Sequence, residues 1–265
     1  MMKESKKIDY ANWIPLKVAL APGLTGGILA LLFFLSFLLP SGLLITVFQV
    51  LMAAAAAFCL LVFGYLICAR RLLSYQGGGI QGKILDNVLH FLSWDGNGQL
   101  LDIGCGSGAL TIKAAKKYPQ AHVVGIDYWG NEWDYAQSQC ETNAALEGVI
   151  KQTSFQKGDA AQLDFPDAHF DAAVSNFVFH EVRSQPDKLA LIREALRVLK
   201  PGAPFAFEDI FYSVKHYPDL DALLAELSKE VQELHFVDTR QNNFVPLLLK
   251  TPMVAGNMGL IWGKK

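Results

Sequence analysis

The stretch Gln99-Leu100-Leu101-Asp102-Ile103-Gly104-Cys105-Gly106-Ser107-Gly108 limits what this chain can build more than any other. A short apolar run of strand character breaks into alternating glycines, and a segment of helical pattern, Ala109 to Lys117, follows at once. Glycines at such a junction let the backbone turn sharply and let a ligand lie where a Cβ would collide. About twenty residues on, a second apolar run, Val123-Val124-Gly125-Ile126, ends in Asp127, a place where a carboxylate accepts two hydrogen bonds from a ribose diol. Together they describe a pocket for an adenosine-containing cofactor.

The chain has 265 residues, room for one full α/β domain and an extra segment. Its formal net charge is -2, and no basic run interleaves with aromatics, so nothing points to a nucleic-acid partner. Apolar residues make up 52% of it, and the excess sits in the first seventy positions. Val18 to Leu39 is an uncharged run of about 22 residues and Leu43 to Ala69 one of about 27, where a membrane-spanning helix needs about 20. Pro40-Ser41-Gly42 turns between them, so the expectation is a transmembrane hairpin. Lys3, Lys6, Lys7 and Lys17 precede it, Arg70, Arg71 and Lys83 follow it, and the turn has no Lys or Arg. The positive-inside tendency then places both ends, and the domain that follows, on the cytoplasmic side of an integral membrane protein. Gly23 and Gly27, with Ala53 to Ala57, are small residues that let two such helices approach. The resulting division is 1–17 as an N-terminal cytoplasmic segment, 18–69 as the hairpin, 70–83 as a linker and 84–265 as the domain that carries the glycine loop.

Within the linker, Gly77-Gly78-Gly79-Ile80-Gln81-Gly82-Lys83 imitates the start of a phosphate-binding P-loop. Ile84 then stands where Ser or Thr must meet magnesium, and no strand precedes it, so a flexible connection is the better account. No pair of the four cysteines, Cys59, Cys68, Cys105 and Cys140, has metal-site spacing, and no metal is expected.

Beyond the linker the pattern alternates. Helices are expected over 84–92, 108–117, 132–146, 185–199 (with Ser184 as N-cap) and 220–234. Strands are expected over 99–103, 122–127, 154–157, 170–175, 203–208, 235–239 and 255–262. Such alternation implies a mostly parallel sheet covered on both faces.

Residues 84–209 resemble a class I S-adenosylmethionine-dependent methyltransferase, and within that family the group around ubiquinone and menaquinone biosynthesis. The resemblance rests on five segments in order: Leu101 to Gly108, Val124-Gly125-Ile126-Asp127, Lys157-Gly158-Asp159-Ala160, Phe170 to Asn176, and Glu194 to Gly202. It implies an α/β, Rossmann-like, doubly wound sheet of seven strands. It also implies S-adenosylmethionine as cofactor, S-adenosylhomocysteine as product and a small methyl acceptor; the hairpin joined to the domain points to a lipophilic one, with a water-soluble acceptor as the alternative. The loop spells G-x-G-x-G, not the G-x-G-x-x-G that brings a helix beneath a dinucleotide pyrophosphate.

The resemblance assigns cofactor contacts to Gly104, Cys105, Gly106 and Gly108, and to Asp102, which either orders the loop or meets the ammonium. Asp127 would hold the ribose, and Tyr128 would lie on the adenine face. Asp159 and Ala160 would sit at the adenine amino group, and Asn176 at the sheet edge. Trp129 and Trp133 are read as packing or membrane-facing residues. His180, in Phe177-Val178-Phe179-His180-Glu181, is the catalytic candidate, since an imidazole takes a proton near neutral pH; shaping the loop is its bland alternative. Glu181 is read as structural, and Glu208 and Asp209 as possible lining of the acceptor site. The cysteine pattern lacks the exposed thiols of an arsenic methyltransferase, and no Asn-Pro-Pro-Tyr motif follows the fourth strand. A nicotinamide-dependent oxidoreductase and a non-catalytic cofactor-binding membrane module remain as alternatives.

Overall fold

A computed structural model describes residues 7–130, 136–252 and 254–265. It divides into two compact units: residues 12–79, and residues 80–265 joined by the N-terminal residues through Ala11.

The first unit is a helical hairpin. Helix α1 spans Leu16–Leu35 and continues into a 3-10 turn, Ser36–Leu38; α2 spans Leu43–Leu73. Both carry large apolar side chains on their outer surfaces: Leu24 is 70% exposed, Phe34 67%, Phe58 68% and Leu61 74%. A soluble amphipathic pair would present polar residues there. Both helices are long and apolar enough to cross a bilayer. They touch through glycines, although not the pair expected. A Cβ on Gly23 would lie 2.9 Å from the Phe63 ring and one on Gly26 3.1 Å from Cys59, whereas Gly27 faces nothing within 4 Å. Helix α2 also runs past Ala69, because Arg70 and Arg71 are good helix formers whose charge suits a C-terminal turn.

The second unit opens with α3 (Ile80–Phe91), which begins ahead of the expected Ile84. Ile80, Ile84, Leu85, Val88 and Leu89 form one buried stripe, so the connection shortens from 70–83 to 74–79. There follow β1 (Gly98–Ile103), α4 (Ala109–Lys117), β2 (Ala121–Asp127), α5 (Gln137–Leu146), β3 (Thr153–Lys157) and β4 (Ala172–Asn176). Then come α6 (Lys188–Arg197), β5 (Pro204–Asp209), α7 (Leu220–Leu227), β6 (Glu233–Val237) and β7 (Gly259–Lys264). The sheet order is β3-β2-β1-β4-β5-β7-β6. Pairing is parallel from β3 through β5, and β7 lies antiparallel between β5 and β6. This is the seven-stranded, mostly parallel, doubly wound sheet that the sequence implies.

Register sorts the side chains. Leu101, Ala173 and Phe205 are level on adjacent strands, as are Ile103, Ser175 and Phe207. Their apolar members meet Leu191, Ile192 and Ala195 of α6 in the core of one face. The alternate residues face the other way. Asp102 is level with Gly125 and Val174, and Asn176 with Glu208. Asp127, Asp102, Asn176 and Glu208 therefore stand on one face, near the C-terminal ends of four neighbouring strands.

Several boundaries differ from expectation. Helix α6 starts at Lys188 and not at Gln185, because Asp187 is the N-cap and accepts from the Leu189 and Ala190 amides, 2.9 and 3.3 Å. Ser184 instead donates to Asp159. Helix α7 ends at Leu227, because Leu234 and Phe236 alternate into the core as strand β6, a period of two that replaces the helical one. Strand β7 begins at Gly259 and not at Ala255. The expected helix start at Glu132 lies outside the described residues.

Candidate active site

The loop after β1 is tied to the end of β2. The Gly104 and Cys105 amides both donate to the Ile126 carbonyl at 2.8 Å, and the Gly106 amide donates to Asp127 Oδ2 at 2.9 Å. Gly104, Gly106 and Gly108 have φ of +73°, +57° and +82°, the left-handed region that side chains avoid. At Gly104 a Cβ would stand 2.1 Å from Val178 Cγ2, so this glycine admits the segment after β4.

Asp127 points at the loop. Its Oδ1 accepts from the Trp129 amide at 2.8 Å while Oδ2 holds Gly106. Burial raises its pKa, and the backbone donors oppose that rise. A carboxylate has about four lone-pair sites, more than these main-chain donors fill, so acceptor capacity is left for a hydroxyl-bearing ligand. Trp129, read from the sequence as a packing or membrane-facing residue, reaches the loop instead. Its indole Nε1 donates to the Gly106 carbonyl at 2.9 Å, and its own φ is +42°. Cys140 Sγ reaches the same carbonyl at 3.1 Å.

Asp102 lies deeper, 1% exposed. Its Oδ2 accepts from Thr111 Oγ1 at 2.6 Å, and Oδ1 has no partner among the described residues. Burial pushes its pKa up to about 7. Gly125 makes room for this pair, since a Cβ there would stand 2.8 Å from Thr111 Oγ1. Asn176 Oδ1, on the next strand, is also buried without a partner among the described residues. Two unfilled acceptors on adjacent strand ends suit a ligand that brings donors, such as an ammonium. They do not suit a pyrophosphate, which brings only acceptors and negative charge. The residues present therefore fit S-adenosylmethionine, with Asp127 for its ribose.

Next to Asp127, Tyr128 is 62% exposed, with Lys157 Nζ 5.1 Å from its ring centre. Asp159 accepts from the Ala161 amide at 2.8 Å and from Ser184 Oγ at 3.1 Å, and Ala160 is buried in the core. Trp133 lies outside the described residues.

His180 follows β4 in a short 3-10 turn, Phe179–Glu181. Its Nδ1 bonds Asp209 Oδ1, and its own amide donates to Asp209 Oδ2 at 3.1 Å. Tyr217 Oη donates to the same Oδ2 at 2.9 Å, and His180 Nε2 lies 3.3 Å from Glu181. Burial favours the neutral ring, but Asp209 and Glu181 outweigh it and push His180 up to about 9. The two acids at the end of β5 thus separate. Asp209 turns to His180, a partnership the sequence did not announce because the two are far apart in the chain. Glu208 turns to the opposite face, where its Oε1 accepts from Thr239 Oγ1 at 2.8 Å and burial pushes its pKa up to about 8.

Residues 100–202 match a family described as "Methyltransferase domain". Among curated relatives, the sterol 24-C-methyltransferase of Aspergillus fumigatus is 36% identical over 107 residues, 40% of this chain and 26% of that protein. The 2-phytyl-1,4-naphtoquinone methyltransferase of Synechococcus elongatus is 36% identical over 118 residues, 42% of this chain and 46% of that protein. The chain thus spans less than half the length of these relatives. Among solved structures, the [4+2]-cyclase SpnF superposes with a TM-score of 0.51 at 22% identity, covering 68% of this chain and 78% of that one. A geranyl diphosphate methyltransferase, in complex with GPP and sinefungin, gives 0.51 at 14% identity, covering 69% and 77%. One of these is a cyclase, so likeness of fold does not by itself fix the reaction. The sheet order, the glycine loop with its acidic partner and the matched family agree: residues 100–202 belong to a methyltransferase domain.

Proposed function

We propose that this protein is a membrane-anchored enzyme that moves a methyl group from S-adenosylmethionine to a small, lipophilic acceptor. The observation that carries the cofactor assignment is the pairing of Asp127 with Gly106, beside the unfilled acceptors of Asp102 and Asn176. When bound, the cofactor supplies an electrophilic methyl on a sulfonium. Asp127 holds the ribose, Asp102 and Asn176 receive the ammonium, and the glycine loop brings main chain against the amino-acid end. Tyr128, Asp159 and Ala160 border the adenine. The enzyme's own contribution to a direct displacement is alignment and exclusion of water.

His180 is the group proposed to accept a proton from the acceptor. Asp209 fixes Nδ1, which leaves Nε2 as the working nitrogen once Glu181 lets go, as hydrogen bonds in unliganded sites often rearrange. The lipophilic acceptor is supported by the apolar hairpin, whose two spans, with both ends cytoplasmic, would keep the domain at a bilayer surface. Relatives that are named for sterol and naphthoquinone methylation point the same way. The test is incubation of the full-length protein with methyl-labelled cofactor and membrane lipid extract. Label in an organic-soluble product is expected. Label only in water-soluble products contradicts the lipophilic acceptor, and no transfer to any extract favours a non-catalytic module.

A further inference from the structure

Residues that precede the hairpin in sequence fold against the glycine loop. Ser107, between Gly106 and Gly108, donates its hydroxyl to the Tyr10 carbonyl at 2.7 Å. Asn143 of α5, 1% exposed, joins the two segments. Its Nδ2 donates to the Ser107 carbonyl at 3.0 Å and to the Asp9 carbonyl at 2.7 Å, and its Oδ1 accepts from the Asp9 amide at 3.0 Å. Gln139 Nε2 adds a second donor to the Asp9 carbonyl at 2.6 Å, and Tyr10 Oη reaches Glu147 at 2.8 Å. The turn is closed by the Ala11 amide on Asp9 Oδ1 at 2.8 Å, with Ala11 at φ +57°. An amide side chain that satisfies three main-chain groups at once, buried between two segments far apart in sequence, fixes their separation.

We propose that Asp9–Ala11 form a strap that positions the glycine loop, so that cofactor affinity depends on residues lying ahead of the hairpin. This rests on the reading of that loop as the S-adenosylmethionine site. Asn143, Gln139 and Tyr10 act as positioning residues: they set Ser107 and so the two flanking glycines, one of which meets Asp127. The hairpin lies in sequence between two segments of one compact unit, which the chain leaves at Ala11 and re-enters at Ile80.

The test uses the full-length protein in detergent, with S-adenosylhomocysteine titrated by calorimetry and amide exchange followed in its absence. Ala11→Pro cannot adopt a positive φ and loses the amide that closes the turn, whereas Ala11→Gly keeps both. Ala11→Pro is expected to weaken binding about tenfold and to speed exchange at Gly106 to Gly108, with β4 and β5 unchanged. It should raise the cofactor KM without lowering kcat; Ala11→Gly should behave as wild type. Tyr10→Phe, a milder probe that removes one hydrogen bond, should weaken binding about two- to fivefold. Wild-type affinity and exchange in both Ala11→Pro and Tyr10→Phe overturn the strap. Absence of binding by the wild-type protein overturns the cofactor reading instead, and the exchange data still decide whether the strap orders the loop.

Discussion

His180 carries the sharpest chemistry of any single residue. Clamped between Asp209 and Glu181, it holds its proton to about pH 9, so near neutrality most molecules carry an imidazolium there. A base that acts only when neutral gives turnover that rises with pH and levels off above about 9. Glu181→Gln removes one charge that stabilises the imidazolium, so the rise should move to lower pH, and His180→Ala should lower kcat far more than cofactor affinity. Rate profiles of the three proteins between pH 6 and 10 check this; a flat profile, or equal loss of kcat and affinity, removes His180 from the chemistry. The same ring contributes to stability with a fixed sign. Its raised pKa stabilises the fold fully below its ordinary value of 6.5, and that contribution is lost as pH climbs through about 9. Residue type and spacing in the sequence picked out His180 and Asp127. They did not pick out Asp209 as the partner of His180, or Trp129 as a donor to the loop, because both depend on which face a strand end or turn presents.

At the level of elements, the glycine loop was legible because its constraint is local: a strand, a positive-φ turn and a helix start within ten residues. The parallel strands were legible as apolar runs, since a strand buried on both faces has no polar side to hide it. Boundaries were less so where two local signals compete. Ser184 and Asp187 both precede the periodic run of α6, and the structure uses the second; Asp187→Ala should cost about 1 kcal/mol, a fall of about 2–4 °C in thermal midpoint. Ser184→Ala, which removes no cap, should leave the helix intact, and the reverse ranking in thermal melts would contradict the assignment. The boundary between α7 and β6 was displaced, with the helix expected to run to Leu234 and the strand to begin at His235, because Leu234 fits a helical stripe and an alternating one equally well. The strap of Asp9 to Ala11 had no sequence signal, because its side of the contact is made mainly by backbone atoms.

For the molecule as a whole, two apolar helices lie in sequence between the two segments of one compact unit, ahead of the residues that match a methyltransferase domain. The proposed topology places the turn at Pro40 to Gly42 on the far side of the membrane from both ends. Ser41→Cys should react with an impermeant thiol reagent added to intact cells, and Ser74→Cys should react only after lysis; the opposite pattern reverses the orientation. The central claim is that the crevice beside Gly106 takes a sulfonium nucleoside through Asp127, and a calorimetric titration of the full-length protein tests it most directly. S-adenosylhomocysteine should bind saturably, NADH should not, and Asp127→Ala should weaken binding by roughly 10- to 150-fold, the worth of hydrogen bonds to a charged acceptor. Binding of NADH, or undiminished affinity for S-adenosylhomocysteine in the variant, would contradict the account.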